Sequence, residues 1–136
     1  MARIEFLNVD LDLESKHDLT PLIEDFGENV SIMHHEQGEI NKASFELGSI
    51  ADTPNQLILE YGNLVENLPK QSRALWDSCS KRVLDLGFEC EGQVTGAPIS
   101  LTEILSIEST KLLSRLNIII AITIYVSPVD KRPYTI

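Results

Sequence analysis

The longest apolar run of the chain, Ile118 to Val126, constrains the fold more than any other segment. It is about half as long as a helix must be to span a membrane. It is also rich in β-branched residues, which suit strands. Because both of its faces are apolar, the run is typical of a central strand that is covered on each side. We therefore expect a sheet with this segment in its interior.

Other parts of the chain alternate between apolar and polar residues, as strands do. Two of these parts, residues 30–35 and 43–47, flank Glu36-Gln37-Gly38-Glu39, so we expect them to form a hairpin. In the first predicted strand, residues 3–13, the phase of the alternation changes at Phe6-Leu7, which indicates a bulge or bend. The predicted strands cover residues 3–13, 30–35, 43–47, 81–90 and 99–104.

Helices are predicted from the helical spacing of apolar residues and from signals at the helix ends. Thr53 and Pro54 begin the longest helix, and Pro69 separates it from a short one. Ser106 is placed to cap a helix that leads into the long apolar run. A further helix precedes Gly27, because glycine suits the left-handed residue that often ends a helix.

The predicted elements follow the order strand, helix, strand, strand, helix, short helix, strand, strand, helix, strand. Because strands and helices do not alternate strictly, this order favours an α+β fold over a doubly wound one. We expect a mixed, mainly antiparallel sheet of about five or six strands with about three helices packed on it. The length of 136 residues fits a single domain over 1–136, with an irregular tail from about residue 127.

The chain is strongly acidic, with a formal net charge of −10. This excludes nucleic acid and anionic membranes as expected partners, because both require a basic surface. The charge is also unevenly distributed, since residues 1–50 contain eleven acidic and three basic residues. Two explanations stay open. The excess either keeps the surface soluble or forms an acidic face directed at a basic partner.

Several carboxylates are spaced to act together. Asp10, Asp12 and Glu14 occupy alternate positions of the first predicted strand, so they are expected to share one face. Glu36 and Glu39 lie in and beside the predicted hairpin turn. Such groups can serve acid–base chemistry or hold Mg²⁺ or Ca²⁺. Carboxylates on an exposed strand face are, however, more often simply solvated.

No motif for catalysis or metal binding stands out. The neighbours His34 and His35 would point to opposite faces of a strand, so they cannot both reach one ion. The chain has no Gly-x-Ser-x-Gly nucleophile turn and no glycine-rich phosphate loop. We therefore expect no catalytic residue, no metal and no cofactor.

Two cysteines and one tryptophan complete the set of candidate residues. No secretion signal precedes the first strand, so we expect a cytoplasmic protein in which Cys79 and Cys90 are free thiols. Lys81 and Arg82 could lower the pKa of Cys79. The alternative is a half-buried helix cysteine. Trp76 is expected in the core or, if exposed, as an apolar anchor for a partner.

Several segments, taken in order, resemble an uncharacterised bacterial family. They are Asp10-Leu11-Asp12-Leu13-Glu14-Ser15, Ala74-Leu75-Trp76-Asp77, Arg82-Val83-Leu84-Asp85-Leu86-Gly87-Phe88 and Ala121-Ile122-Thr123-Ile124-Tyr125. Some members of that family occur beside toxin genes. The resemblance therefore implies an immunity protein of a contact-dependent inhibition or related polymorphic toxin system. It supplies no catalytic residues.

These observations lead to one expected function. The chain would bind a cognate toxin protein one to one, most plausibly a basic nuclease domain, and block its active site or the access of its substrate. The expected partner-binding residues are Asp10, Asp12, Glu14, Glu36, Glu39 and Trp76. Two alternatives remain open: a small carboxylate-based enzyme, with or without the assistance of a metal, and a cytoplasmic regulatory interaction module.

Overall fold

The computed structural model describes residues 3–49, 51–91 and 100–127. Within them, five strands form one sheet in the order β2-β3-β1-β4-β5, and every neighbouring pair is antiparallel except β4 and β5. The strands are β1 (Ile4–Ser15), β2 (Val30–Glu36), β3 (Asn41–Leu47), β4 (Lys81–Glu91) and β5 (Ile119–Ser127). The described α-helices are α1 (Thr20–Phe26), α2 (Pro54–Glu66), α3 (Lys70–Ser78) and α4 (Ile107–Arg115). The predicted α+β class with a mixed, mainly antiparallel sheet is confirmed.

The helix ends follow the signals in the sequence. The Thr53 side chain accepts a hydrogen bond from the backbone N–H of Gln56 at 3.3 Å, which caps α2. Ser106 caps α4 in the same way, accepting from the N–H of Ser109 at 3.0 Å. Gly27 ends α1 with a positive φ of 57°. These local predictions are confirmed because a cap depends only on residues a few positions apart.

The core lies between the helices and one face of the sheet. Leu11 and Leu13 of β1 are almost fully buried there, as is Phe45 of β3, which meets Phe26 edge to face at 5.4 Å. The hydroxyl of Tyr61 on α2 lies within 3.1 Å of the carbonyl oxygens of Val9 and Phe45, to which it donates. The Tyr61 hydroxyl therefore connects α2 to both β1 and β3 by hydrogen bonds.

Trp76 belongs entirely to this core. Its side chain is 0% exposed, and its indole N–H donates to the carbonyl of Leu116 at 3.2 Å. The Arg82 guanidinium adds hydrogen bonds to the carbonyls of Trp76 and Cys79 at 3.0 and 2.6 Å. Trp76 thus joins the ends of α3 and α4. The predicted core position is confirmed, and the exposure that a partner anchor would require is absent.

The stretch that precedes α4 differs from its prediction. Residues 100–106 form no regular element, so the strand predicted over 99–104 is wrong for its described part. Asn55 of α2 holds this stretch instead, by hydrogen bonds with the carbonyl of Ile104 and the N–H of Ser106 at 2.8 and 2.9 Å.

The bulge predicted in β1 is confirmed, since the register with β4 shifts between Phe6 and Asn8. The predicted loop over 92–98, Ile99 and the tail beyond Ser127 lie outside the described residues.

The long apolar run forms β5 at the edge of the sheet, which corrects its prediction as a central strand. The physical reason is that β1 already pairs with both β3 and β4. The strand that follows α4 can therefore join β4 only on its outer side. Ile122 and Tyr125 are consequently 64% and 54% exposed.

Candidate protein-binding face

The face of the sheet opposite the helices, called the open face below, gathers the acidic residues of the strands. Because Leu11 and Leu13 are buried under the helices, Asp10, Asp12 and Glu14 point to the open face and are only half-buried. The prediction that these three carboxylates share a face is confirmed.

The register of the sheet places two further carboxylates beside Asp10. Glu46 of β3 is directly opposite Asp10 on one side, and Asp85 of β4 is directly opposite on the other. Residues paired in this way have Cβ atoms about 4.5–5.5 Å apart, and like charges there destabilise a sheet. Asp10, Glu46 and Asp85 are called the carboxylate row below.

Asp10 bears most of the electrostatic penalty of this row. Its Oδ1 atom is buried and has no hydrogen-bond partner within the part of the chain that the structure describes. The pKa of Asp10 is raised to about 6, first by burial and then by repulsion from Glu46, Asp12 and Asp85. At neutral pH the row is therefore a concentrated negative charge whose central group is incompletely solvated.

Polar contacts hold Asp85 of the row and two neighbouring carboxylates of β1, Asp12 and Glu14. The Thr123 hydroxyl of β5 donates to Asp85 at 2.8 Å, and the Ser44 hydroxyl of β3 donates to Asp12 at 2.7 Å. Glu14, near the end of β1, forms an ion pair with Lys81 at 3.3 Å. Hydroxyl groups thus surround the centre of the open face, whereas this ion pair lies toward one end of β1.

The remaining predicted acids are placed differently. Glu36 is exposed at the end of β2 and lies 3.3 Å from His34, and its register partner Lys42 is also the partner of Glu14. It therefore belongs to the margin of the open face. Glu39 is exposed in the turn between β2 and β3, away from the paired positions of the sheet.

Glu46 and Asp85 are not among the partner-binding residues predicted from the sequence. Alternation along each strand signals which face such a residue occupies. It carries no signal of which strand lies next to it, because pairing depends on residues far apart in the chain. The carboxylate row becomes visible only once the register is known.

Other candidate chemistry finds little support in the geometry. Among residues 3–49, 51–91 and 100–127, no group of three or more His, Cys, Asp and Glu side chains is arranged to hold a metal ion. His34 pairs with Ser44 and His35 with Ala43, which puts the two rings on opposite faces as predicted. Burial raises the pKa of Cys79 to about 11, although Arg82 acts in the opposite direction. The suggestion of a lowered thiol pKa is therefore wrong.

The described helices include none that is long and apolar enough to cross a membrane. No family model, curated protein or solved structure matches the chain.

Proposed function

We propose that the protein is an immunity protein that binds a bacterial toxin domain one to one through its open face and neutralises it. The observation that carries this proposal is the carboxylate row. Three like charges stand side by side, and the central one has a buried oxygen without a partner in the described chain. Such an arrangement destabilises the free protein, and a cationic side chain of a partner would reverse that effect.

The chemistry of the row points to a basic protein. An arginine side chain offers several N–H donors and a charge that is always present, so it can satisfy Asp10 together with Glu46 or Asp85. The net charge of −10 would also attract a basic partner from a distance. Nuclease toxins carry basic active sites because they hold a phosphate backbone. We therefore infer a basic nuclease domain, met in the cytoplasm, as the target.

The test uses the full chain and the toxic domain encoded beside its gene. Nuclease activity is measured while the protein is added in increasing molar ratio. Inhibition that is complete at one equivalent supports the proposal, and full activity in the presence of excess protein contradicts it. The site is then tested with the charge variants described in the Discussion.

An acid–base enzyme is the second candidate, because Asp10 has a raised pKa and stands beside a second carboxylate, Asp85. One equivalent of zinc or manganese in elemental analysis of the purified protein would favour this candidate. So would a hydrolase activity that Asp10→Asn removes. A regulatory interaction module would use the same face for a different basic partner, and would leave the toxin domain active.

A further inference from the structure

The outer edge of β5 is a second distinctive surface, and it carries no charge. Its nine residues include no Asp, Glu, Lys, Arg or His. Among the described strands β5 pairs only with β4, so its other edge presents backbone N–H and C=O groups. Five of its apolar side chains are more than half exposed: Ile119 at 65%, Ile122 at 64%, Ile124 at 58%, Tyr125 at 54% and Val126 at 67%.

The opposite edge of the sheet is built differently. β2 carries the exposed, ionisable residues His34, His35 and Glu36, and its register with β3 shifts between Ile32 and His34. Ionisable side chains and bulges are the features with which natural sheets prevent pairing between exposed edges. β5 has neither, since its pairing with β4 is regular from end to end.

The apolar surface continues onto the helix side of the sheet. A groove of about 520 Å³ runs there beside β5, and Ile122 and Ile124 form one wall of it. Phe88, the register partner of Ile124, and Leu101 also line the groove, and Leu101 is itself 46% exposed. Apolar side chains are thus exposed on both faces of the strand as well as along its edge.

We propose that the outer edge of β5 binds the same edge of a second copy of the chain, in antiparallel register around a two-fold axis. The two five-stranded sheets would then join into one. The occupant is inferred from charge. Two copies of a chain with a net charge of −10 repel each other wherever their acidic surfaces meet, and β5 brings no charged group opposite another. A basic partner would gain no ion pair from this strand.

The available surface is sufficient for a stable dimer. Antiparallel pairing would set apolar side chains opposite apolar side chains along a strand about 30 Å long. The five exposed side chains of β5 and Leu101, on two copies together, expose on the order of 1,200 Å², and an interface that covers all of it reaches the lower limit of the standard size. The two-fold axis is perpendicular to the sheet, so both open faces lie on the same side and remain accessible.

This geometry predicts an unusual dependence on salt. Joining the sheets brings two acidic faces closer, and salt screens their repulsion over about 10 Å at 0.1 M and about 3 Å at 1 M. The dimer should therefore strengthen as NaCl increases. The complex with a basic partner should weaken under the same conditions, so the two interactions can be told apart.

Sedimentation equilibrium of the full chain at low and high NaCl tests the proposal. We expect the wild type to dimerise and Ile122→Lys to raise the dimer dissociation constant by about 10-fold or more, because it places like charges at the joined edges. The matched control is Met33→Lys, since Met33 is 54% exposed on β2 at the other edge of the sheet. Its dimerisation should equal that of the wild type. Thermal unfolding verifies that each variant is folded, and Val126→Lys replaces Ile122→Lys if the latter is not.

Three results would overturn the proposal. The first is a wild type that remains monomeric at both salt concentrations. The second is a dimer that survives both lysine substitutions in β5, or that is lost in Met33→Lys. The third is a chain that is monomeric alone but whose β5 amides gain hydrogen-exchange protection when the toxin domain binds, because that would assign the edge to the partner.

Discussion

Asp10 on β1 lies directly opposite Asp85 on β4, so two carboxylates face each other across neighbouring strands of the open face. The Thr123 hydroxyl donates to Asp85 at 2.8 Å, whereas Oδ1 of Asp10 is buried without a hydrogen-bond partner in the described chain. Glu46 adds a third carboxylate on the far side of Asp10. The unfavourable electrostatic effect of the row on protein stability is therefore largest at Asp10. This effect can be tested on the free protein, without any partner.

Replacing Asp10 by asparagine should stabilise the free protein in a way that depends on pH. The folded-state pKa of about 6 lies above the ordinary value of 3.8, so the folded protein binds the proton more tightly. The contribution of Asp10 to stability is thus fully present below about pH 4 and is lost as pH rises through 6. At pH 8 we expect Asp10→Asn to raise the free energy of unfolding by about 1–2 kcal/mol. The gain should disappear near pH 4.

Urea unfolding at pH 4 and pH 8 measures this effect. Asp52→Asn is the control, because Asp52 is exposed outside the sheet and its replacement should change stability by no more than about 0.5 kcal/mol. A gain for Asp10→Asn that is the same at both pH values would show that the raised pKa is not its cause.

Removing the charge of the whole row should separate stability from binding. The triple variant Asp10→Asn, Glu46→Gln and Asp85→Asn keeps the size of each side chain and should unfold at a higher temperature than the wild type. Its association with the toxin domain should slow by roughly 10-fold or more, and the salt dependence of the association rate should flatten. Stopped-flow binding at several NaCl concentrations measures both quantities.

The matched control for that variant removes the same number of charges elsewhere. Glu24, Glu28 and Glu103 are exposed residues outside the strands, and their replacement by glutamine changes the net charge equally. If the two triple variants bind with the same rate, the overall charge matters and the carboxylate row is not the interface.

Gly62→Ala should destabilise the protein although alanine favours helices. A Cβ atom on Gly62 of α2 would lie 2.0 Å from a methyl group of Leu112, which is buried on α4. Overpacking costs about 1–3 kcal/mol, which exceeds the helix gain of about 1 kcal/mol. Chemical unfolding measures the difference, with Asn63→Ala as the exposed control.

Trp76, the single tryptophan, should report folding and not binding. Because it is 0% exposed, its emission should be blue-shifted in the folded state and should not change when the toxin domain binds. Trp76→Phe should lower the free energy of unfolding by about 2 kcal/mol through lost volume and the lost bond to Leu116. A red-shifted emission of the folded protein would contradict the buried position. The toxin domain must lack tryptophan for this measurement.

The two cysteines should differ in reactivity. Both thiols are free, but Cys79 is buried with its pKa raised to about 11, whereas Cys90 on β4 is half-buried. A thiol reagent at pH 8 should modify Cys90 first and reach Cys79 only at the rate of unfolding. Mass spectrometry after partial labelling identifies the modified residue. Equal labelling of both cysteines in the native protein would contradict this order.

Features that depend on residues close together in the chain could be predicted from the amino-acid sequence alone. Thr53 and Ser106 cap their helices as expected, because a capping side chain bonds to a backbone N–H three positions away. The same holds for the bulge after Phe6 and for the shared face of Asp10, Asp12 and Glu14, since alternation along one strand sets the face of each residue.

The arrangement of neighbouring elements could not be predicted in this way and is known from the three-dimensional structure. Apolarity on both faces predicted an interior position for β5, but β1 occupies the inner side of β4 and leaves β5 at the edge. Glu46 and Asp85 are 36 and 75 positions from Asp10 in the sequence, yet they flank it in the sheet. Local sequence patterns indicate the backbone conformation and the face of the sheet on which a side chain lies. The choice of neighbouring strand is set by long-range hydrogen bonding and packing of the whole chain.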